Sequence, residues 1–317
     1  MAIGYASPTN LSQLFEAMST LPEYRLFAGG TDLMVRKGRG LLPLGAIINL
    51  LTVAEMQGIV ESDGSLDLGA LATHAAIAAH PGVQQAAGAL AQASSQVGSP
   101  QIRNMGTLAG NMCNASPAAD TATPLLALEA MVVAAMMGRP ARERHIPIRE
   151  FFRGPGKTCL EPGEVVVRVR IPIACSTLGT GSSFIKLARR RSLAIAVING
   201  AAWIALAGSA APCIAEARIA LGAVAPTPIR LPAVEDWLRG RPVTKAVFAE
   251  AGRRALACIN PINDIRATAD YRRDVAAVLV ERLLTRAALD ANFCLEDEAP
   301  VSPGRVSPAQ AHGVATK

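Results

Sequence analysis

The chain has 317 residues, which is long for one domain, so two or three domains are expected. Half of the residues are hydrophobic and only 4% are aromatic, so alanine, valine and leucine must do most of the packing in a sizeable core. The net charge is +6, but the basic residues are scattered and none of them form a run interleaved with aromatics, which argues against a nucleic-acid-binding protein.

Six widely spaced cysteines form no CxxC pair. This pattern is typical of reduced cytosolic thiols and argues against a disulfide framework, an iron–sulfur cluster or a zinc site on this chain. The four histidines show no metal-ligand spacing, and each is expected to be a surface or turn residue. The first residues lack the charged and apolar regions of a signal peptide, so a cytoplasmic location is expected.

Residues 1–55 are predicted to form a small α/β unit. Ser7-Pro8 opens a helix in which apolar residues recur at helical spacing. A strand over 24–28 leads into a glycine turn, the chain continues over 33–37, and the apolar run 46–50 predicts a second, buried strand.

Residues 56–174 predict a mainly antiparallel sheet with inserted helices. Asp63-Gly64 is a hairpin signal. The short strands are separated by turn residues and are expected at 58–60, 66–71, 131–135, 144–146 and 165–171. Helices are expected at about 84–97 and 117–129.

A linker is predicted over 175–181, followed by a C-terminal domain over 182–295. Its strands are expected at 183–188, 195–207 and 214–222, and its helices at 243–259 and 270–291. In the second helix Val275, Val278, Leu279, Arg282 and Leu283 are expected to form an apolar stripe beside a charged face. Residues 296–317 are rich in Pro, Ser, Ala and Gly and are predicted to be a disordered tail.

An uncharged run over 193–215 follows three arginines and superficially resembles a membrane span. It is rich in alanine and glycine and contains Asn199 and Pro212. These residues favour a buried strand pair with a turn near Gly208-Ser209, so no membrane span is expected.

Two glycine-containing stretches organise the chain: the first glycine loop, residues 27–33, and the second glycine segment, residues 102–111. Each places small residues beside hydroxyl and amide side chains, as a chain requires where its backbone donates N–H groups to an anionic ligand. Two such stretches can close on one pyrophosphate from two sides. Rossmann, Walker and nucleophile-elbow motifs are absent, so a bound cofactor would carry any chemistry.

In its ordered motifs the chain closely resembles the FAD-binding medium subunit of the molybdenum hydroxylases, the family of xanthine dehydrogenase and aerobic carbon monoxide dehydrogenase. The resemblance covers residues 1–290. It implies an α+β fold: a two-subdomain FAD-binding domain of the PCMH type over 1–174, divided near 55, and a C-terminal domain with a small antiparallel sheet packed with helices. The matching motifs lie at 28–33, 47–50, 68–74, 102–111, 115–120, 160–172, 184–186, 221–228 and 271–273.

The resemblance also implies roles for individual residues. Amides of both glycine stretches would hold the FAD pyrophosphate from opposite sides; these residues are Ala28, Gly29, Gly30, Thr31, Asp32 and Leu33 on one side, and Thr107, Leu108, Ala109, Gly110 and Asn111 on the other. Asp120 would bond ribityl or ribose hydroxyls. Val97 and Val166 would pack against the cofactor, and Lys186 would lie near the isoalloxazine. Cys113 is expected to be a packed small residue, and no side chain is assigned as catalytic.

The chain departs from the family's common sequence at two positions and lacks one insertion that a related enzyme has. Ala109 stands where the family commonly has a glycine, which is tolerable unless its φ is positive. Ala194 stands where many members have aspartate, which puts a polar contact near Lys186 in doubt. The cysteine-rich insertion that carries a [4Fe–4S] cluster in hydroxybenzoyl-CoA reductase is absent.

The function implied by the resemblance is electron transfer through FAD on this chain. A large molybdenum-cofactor subunit and a small [2Fe–2S] subunit would be its partners in an (αβγ)2 assembly, and NAD, oxygen or a quinone would be the external acceptor. Two alternatives stay open: a scaffold subunit that has lost flavin, and a stand-alone FAD oxidase of the vanillyl-alcohol-oxidase type.

Overall fold

The computed structural model describes residues 4–42, 45–62, 64–138, 142–173, 179–190, 192–208 and 212–293. The predicted tail and most of the predicted linker lie outside these residues. The strands are β1 (Tyr5–Ala6), β2 (Arg25–Phe27), β3 (Ile47–Asn49), β4 (Ile59–Ser62), β5 (Ser65–Gly69), β6 (Met131–Met136), β7 (Arg142–Pro147), β8 (Phe152–Gly154), β9 (Lys157–Thr158), β10 (Val165–Pro172), β11 (Thr180–Leu187), β12 (Ile198–Ala207), β13 (Cys213–Gly222) and β14 (Ile229–Arg230).

Helices are interspersed with these strands along the whole described chain. They are α1 (Leu11–Thr20), α2 (Leu33–Gly38), α3 (His74–Ala79), α4 (Pro81–Ala86), α5 (Gly88–Ser95), α6 (Pro100–Met105), α7 (Leu108–Cys113), α8 (Ala122–Ala127), α9 (Ile148–Phe151), α10 (Pro232–Leu238), α11 (Lys245–Ala255) and α12 (Ala269–Asp290). Single 3-10 turns lie at Ala54–Met56 and Leu256–Cys258.

The N-terminal unit is a three-stranded parallel sheet in the order β1-β3-β2, with α1 packed beside it. Asn10 caps α1 by accepting a hydrogen bond from the Gln13 N–H. Leu14 and Phe15 of this helix are buried in the same core as Ile48 of β3. The strand β2 therefore delivers the first glycine loop at its carboxyl end.

The second unit is a five-stranded antiparallel sheet in the order β4-β5-β10-β6-β7. Its central strand, β10, is buried along most of its length. The helices α3 to α8 are inserted between β5 and β6, and they carry the second glycine segment. Together the first two units share one hydrophobic core.

The C-terminal unit is a four-stranded antiparallel sheet in the order β11-β12-β13-β14, which packs against α10 and α12, and α11 packs on α12. The uncharged run 193–215 contributes to β12 and β13, which pair with each other, and no described helix is long and apolar enough to cross a membrane. The predicted α+β fold class is thus confirmed, and so is the strand pair predicted over 193–215.

Several predicted helices differ from the observed ones. The helix expected at 84–97 is split into α4 and α5 at Ala87, whose ψ of 46° is not helical. The helix expected at 117–129 is reduced to α8, because the preceding backbone bonds to other parts of the chain: Pro117 O accepts from Ala223 N at 2.8 Å. The segment 33–37 is the helix α2. The sequence analysis missed the helices α3, α6, α7, α9 and α10 and the short strands β1, β8, β9 and β14.

Two boundaries in the C-terminal unit also differ. β11 begins at Thr180, inside the predicted linker, because Gly181 pairs with β12 and packs its backbone on α12. In α12 the buried face is formed by Ala276, Leu279, Val280, Leu283, Leu284, Ala287 and Ala288. Val278 is 44% exposed, so the predicted stripe lies partly on the wrong face.

Hydrogen bonds fix the C-terminal sheet to the helices of the second unit. The Ser182 hydroxyl accepts from Ala89 N at 3.0 Å, and the Phe184 N–H donates to Gln92 Oε1 at 2.9 Å. Both contacts join β11 to α5, which leads directly to Val97 and the second glycine segment. The position of the C-terminal unit is therefore coupled to the geometry of that segment.

The crossing of α11 and α12 depends on Gly252, because a Cβ at this position would collide with the Ala277 carbonyl oxygen. We expect Gly252→Ala to lower the free energy of unfolding by about 1–3 kcal/mol through overpacking. Gly154→Ala is the matched control, since a Cβ there meets open space. Urea denaturation measures both, and equal midpoints for the two variants would contradict this packing.

Candidate functional site

A cleft of about 270 Å3 lies between the first glycine loop and the second glycine segment. Ten of the fifteen residues predicted from the sequence line it, and these are Ala28, Gly29, Gly30, Thr31, Asp32, Leu33, Val97, Thr107, Gly110 and Asn111. Leu26, His74, Ile102, Gly106 and Asn114 complete the lining. The fold thus brings together the two stretches that the sequence analysis singled out.

The first glycine loop presents backbone donors. Within the described residues, none of the N–H groups from Ala28 to Leu33 donates a hydrogen bond to the protein. The loop lies between the end of β2 and the start of α2, so neither the sheet ladder nor the helix uses these donors. A row of unpaired amides beside small residues is suited to an anionic group such as a pyrophosphate.

Gly29 and Gly30 of this loop are required for different physical reasons. A Cβ on Gly29 would collide with the carbonyl oxygen of Met105, so glycine permits close contact between the two stretches. Gly30 has a φ of +66°, and a Cβ there would also approach the Phe27 ring at 2.5 Å. Both residues shape the cleft through the protein's own packing, in addition to any effect on ligand approach.

The second glycine segment differs from the expectation, because most of its amides are already engaged. Leu108 N donates to Ala72 O at 2.9 Å and Ala109 N to Ala70 O at 3.1 Å. Gly110 N and Asn111 N donate to the Oγ1 and O of Thr107, which caps α7. What this segment offers the cleft is therefore mainly side chains, with Asn111 held by a 2.6 Å hydrogen bond from Thr121 Oγ1 to its Oδ1.

His74 is the main residue that the sequence analysis missed. It was expected on the surface or in a turn, but it is 2% exposed and lines the cleft. Its backbone N–H donates to Gly106 O at 3.0 Å, which fixes it against the second glycine segment. Burial lowers its pKa to about 4, and Arg103 acts in the same direction, so the imidazole is neutral at pH 7. Its place in the matched motif 68–74 was the available signal.

Some predicted residues stand apart from the cleft. Leu108 and Ala109 are buried at the start of α7, and Val166 is buried in β10. Ala109 does not have a positive φ, so its methyl group is tolerated. Cys113, expected to be packed, is exposed as a residue, but burial of its thiol raises the thiol pKa to about 12. The cofactor contact assigned to Val166 stays a prediction.

Asp120 and Lys186 form a buried ion pair with each other. Lys186 Nζ lies 2.5 Å from Asp120 Oδ2, and their side chains are 7% and 9% exposed. Asn199 Nδ2 donates to the other carboxylate oxygen at 3.1 Å, and Lys186 also donates to Gln96 O. Burial raises the pKa of Asp120, while Lys186 and Asn199 oppose the rise. The flavin contacts assigned to Asp120 and Lys186 stay predictions.

This ion pair joins the two halves of the chain. Asp120 precedes α8, whereas Lys186 and Asn199 are register partners on β11 and β12. The next strand contributes Gly222, opposite Asn199, where a Cβ would collide with the Asn199 side chain. The bridge is thus built into the sheet, with glycine leaving room for the asparagine.

Comparison with known proteins gives the class. The model of the FAD binding domain in molybdopterin dehydrogenase matches residues 1–174, and the model of the CO dehydrogenase flavoprotein C-terminal domain matches residues 183–287. The chain therefore belongs to the family of FAD-binding subunits of molybdopterin dehydrogenases.

Individual relatives agree with this assignment. The xanthine dehydrogenase FAD-binding subunit of Escherichia coli O157:H7 is 30% identical over 92% of this chain and 98% of the relative. The nicotine 6-hydroxylase medium subunit of Paenarthrobacter nicotinovorans is 31% identical over 90% of this chain and 97% of the relative. A solved carbon monoxide dehydrogenase of Hydrogenophaga pseudoflava superposes with a TM-score of 0.84 at 30% identity, covering 92% of this chain and 98% of that one.

The cleft fits the cofactor of this family. Its unpaired loop amides match a pyrophosphate, and its apolar wall, which includes Leu26, Val97 and Ile102, suits the flat or aliphatic parts of FAD. The neutral His74 adds a group that can donate or accept.

Closure of the cleft predicts the effect of Gly29→Ala. The added methyl group would push the first glycine loop away from Met105. Because this movement would remove several cofactor contacts at once, we expect the purified chain to retain less than about a tenth of wild-type FAD. Gly38→Ala is the control, because it lies in the next helix and its Cβ meets open space. FAD content is measured as bound flavin per protein, and full occupancy of Gly29→Ala would refute the proposed closure.

The buried bridge predicts a second effect. Lys186→Met leaves the Asp120 carboxylate buried without its cation and should lower the free energy of unfolding by about 3–5 kcal/mol. Arg239→Met breaks an exposed pair with Asp236 and should change it by no more than about 1 kcal/mol. The measurement is chemical denaturation of the FAD-free proteins.

A double variant separates the pair from general packing. Adding Asp120→Leu to Lys186→Met should recover part of the loss, because no unpaired charge then remains. Strictly additive losses would show that the two side chains are not coupled.

Proposed function

We propose that this chain carries FAD as the electron-transfer subunit of a molybdenum-containing hydroxylase or dehydrogenase. The observation that carries the proposal is the row of unpaired amides in the first glycine loop, which faces the second glycine segment across the cleft. FAD supplies the redox chemistry when bound, since it accepts and releases electrons singly or in pairs.

The chain's own residues bind and orient the cofactor. The amides of the first glycine loop hold its pyrophosphate, and Thr107 and Asn111 form the opposite wall. Asp120 and Lys186 stand behind this wall, where they fix the C-terminal unit against the FAD-binding unit. None of these roles requires a side chain to act as acid or base.

The partners follow from the family. Electrons would come from a molybdenum-cofactor subunit through a [2Fe–2S] subunit, in an (αβγ)2 assembly, and pass to NAD, oxygen or a quinone. The sequence contains six widely spaced cysteines and no CxxC motif. This pattern supports a reducing, cytoplasmic location. We also divide the chain into a FAD-binding domain over 1–174 and a C-terminal domain predicted over 182–295, whose start moves to Thr180 because β11 begins there.

A flavin-free scaffold would not need the open cleft or its unpaired amides. A stand-alone oxidase would need a substrate site on this chain. The two family matches instead cover the chain with a FAD-binding domain and a flavoprotein C-terminal domain. These observations favour the electron-transfer subunit over both alternatives.

The proposal predicts that the chain, purified with its partner subunits, contains one FAD per copy, and that this flavin is reduced when the complex turns over its substrate. The visible absorption of oxidised flavin should bleach on substrate addition and return when the acceptor is added. A folded chain that is incubated with excess FAD and retains no flavin absorption once free FAD is removed would contradict FAD binding. A flavin that bleaches with substrate in the isolated chain would instead favour the stand-alone oxidase.

A further inference from the structure

His74 has a buried imidazole that the protein leaves without hydrogen-bond partners. Its Nδ1 atom is buried, and no described residue bonds to it. Nε2 is not among the buried unpartnered atoms, and no hydrogen bond is found for it within the described residues, so Nε2 is the ring nitrogen that is accessible from the cleft. The side chain is 2% exposed and forms part of the wall of the cleft. A buried polar group without a partner is unfavourable, so its presence calls for an explanation.

The surroundings of His74 point to the ligand of the cleft. Its ring lies beside Gly106, where a Cβ would be 3.2 Å from the His74 Cδ2 atom and 3.5 Å from Thr31 Oγ1. His74 is thus placed where the first glycine loop and the second glycine segment approach each other. A ligand held by both stretches passes this point.

The chemistry of the ring suits the same ligand. A neutral imidazole has one N–H donor and one acceptor nitrogen, so it can bond either a phosphate oxygen or a sugar hydroxyl. Both groups are present in FAD. The ring is also fixed in place, because the His74 N–H bonds Gly106 O and the preceding Thr73 caps α3.

We propose that the His74 imidazole hydrogen-bonds bound FAD through Nε2 and thereby contributes to the affinity of the cofactor site. This proposal rests on the proposed function, in which the cleft holds FAD. Without the cofactor Nε2 has no partner among the described residues, and with the cofactor it gains one, whereas the buried Nδ1 is without a partner in both states. The side chain therefore favours the FAD-bound state at the expense of the empty one.

The missing hydrogen-bond partner predicts two effects of opposite sign for His74→Leu, one on the affinity for FAD and one on the melting temperature of the FAD-free chain. The affinity for FAD should fall about tenfold, because one hydrogen bond is lost. The melting temperature of the FAD-free chain should stay the same or rise, since an unsatisfied polar group is replaced by an apolar one. A histidine that only packs in the core would lower both.

The experiment titrates FAD into FAD-free protein and follows flavin fluorescence, with the melting temperature of each FAD-free variant measured in parallel. His74→Gln keeps a polar atom near the position of Nε2 and should bind within about threefold of wild type. His80→Leu is the matched control, because its Nδ1 is also buried without a partner but His80 does not line the cleft. It should leave FAD affinity unchanged.

The outcomes separate the inference from the proposed function. A wild-type chain that does not bind FAD refutes the proposed function itself. Wild-type binding with unchanged affinity in His74→Leu refutes only the role of His74. Equal losses of affinity in His74→Leu and His80→Leu would also overturn it. Failure of both His74→Leu and His74→Met to fold would assign the imidazole to the core.

Discussion

The close approach of Gly29 to the Met105 carbonyl is the contact on which the cleft depends. It lets the loop after β2 reach the turn between α6 and α7, although the two lie in different units of the chain. With the stretches in contact, the unpaired amides of the loop face a wall instead of open solvent. Gly29 therefore permits the contact between the first glycine loop and the second glycine segment, and this contact creates the cleft that binds the cofactor.

A second constraint keeps this geometry in register with the C-terminal unit. The pair between Asp120 and Lys186 is costly to bury and is stabilising only while both partners and Asn199 are in place. Breaking it would leave an unpaired charge in the interface. The bridge therefore contributes more to fixing one arrangement of the two units than to the overall stability. Because β11 also bonds α5, movement of the C-terminal sheet would be transmitted to Val97 in the cleft wall.

Much of this organisation could be predicted from the sequence, because apolar runs, turn residues and glycine stretches are local signals. The longer strands of the three main sheets and both glycine stretches were found in this way, whereas the two- and three-residue strands β1, β8, β9 and β14 were not. The short helices α6 and α7 were missed, since each has only six residues and the extended backbone of Gly106 separates them. His74 was missed for another reason: its burial comes from distant backbone contacts, which no local pattern records.

A cofactor site built largely from backbone amides tolerates wide variation of side chains. Relatives named for xanthine and for nicotine are 30% and 31% identical to this chain and cover nearly all of it. Such a site requires glycine at a few positions, a cap at Thr107 and freedom from competing hydrogen bonds, and most surface residues can change without altering it. The substrate of the whole complex therefore leaves little trace here. What distinguishes this cleft from a generic pyrophosphate site must come from its few polar side chains, among which His74 has a ring nitrogen, Nδ1, that is buried without a hydrogen-bond partner in the described residues.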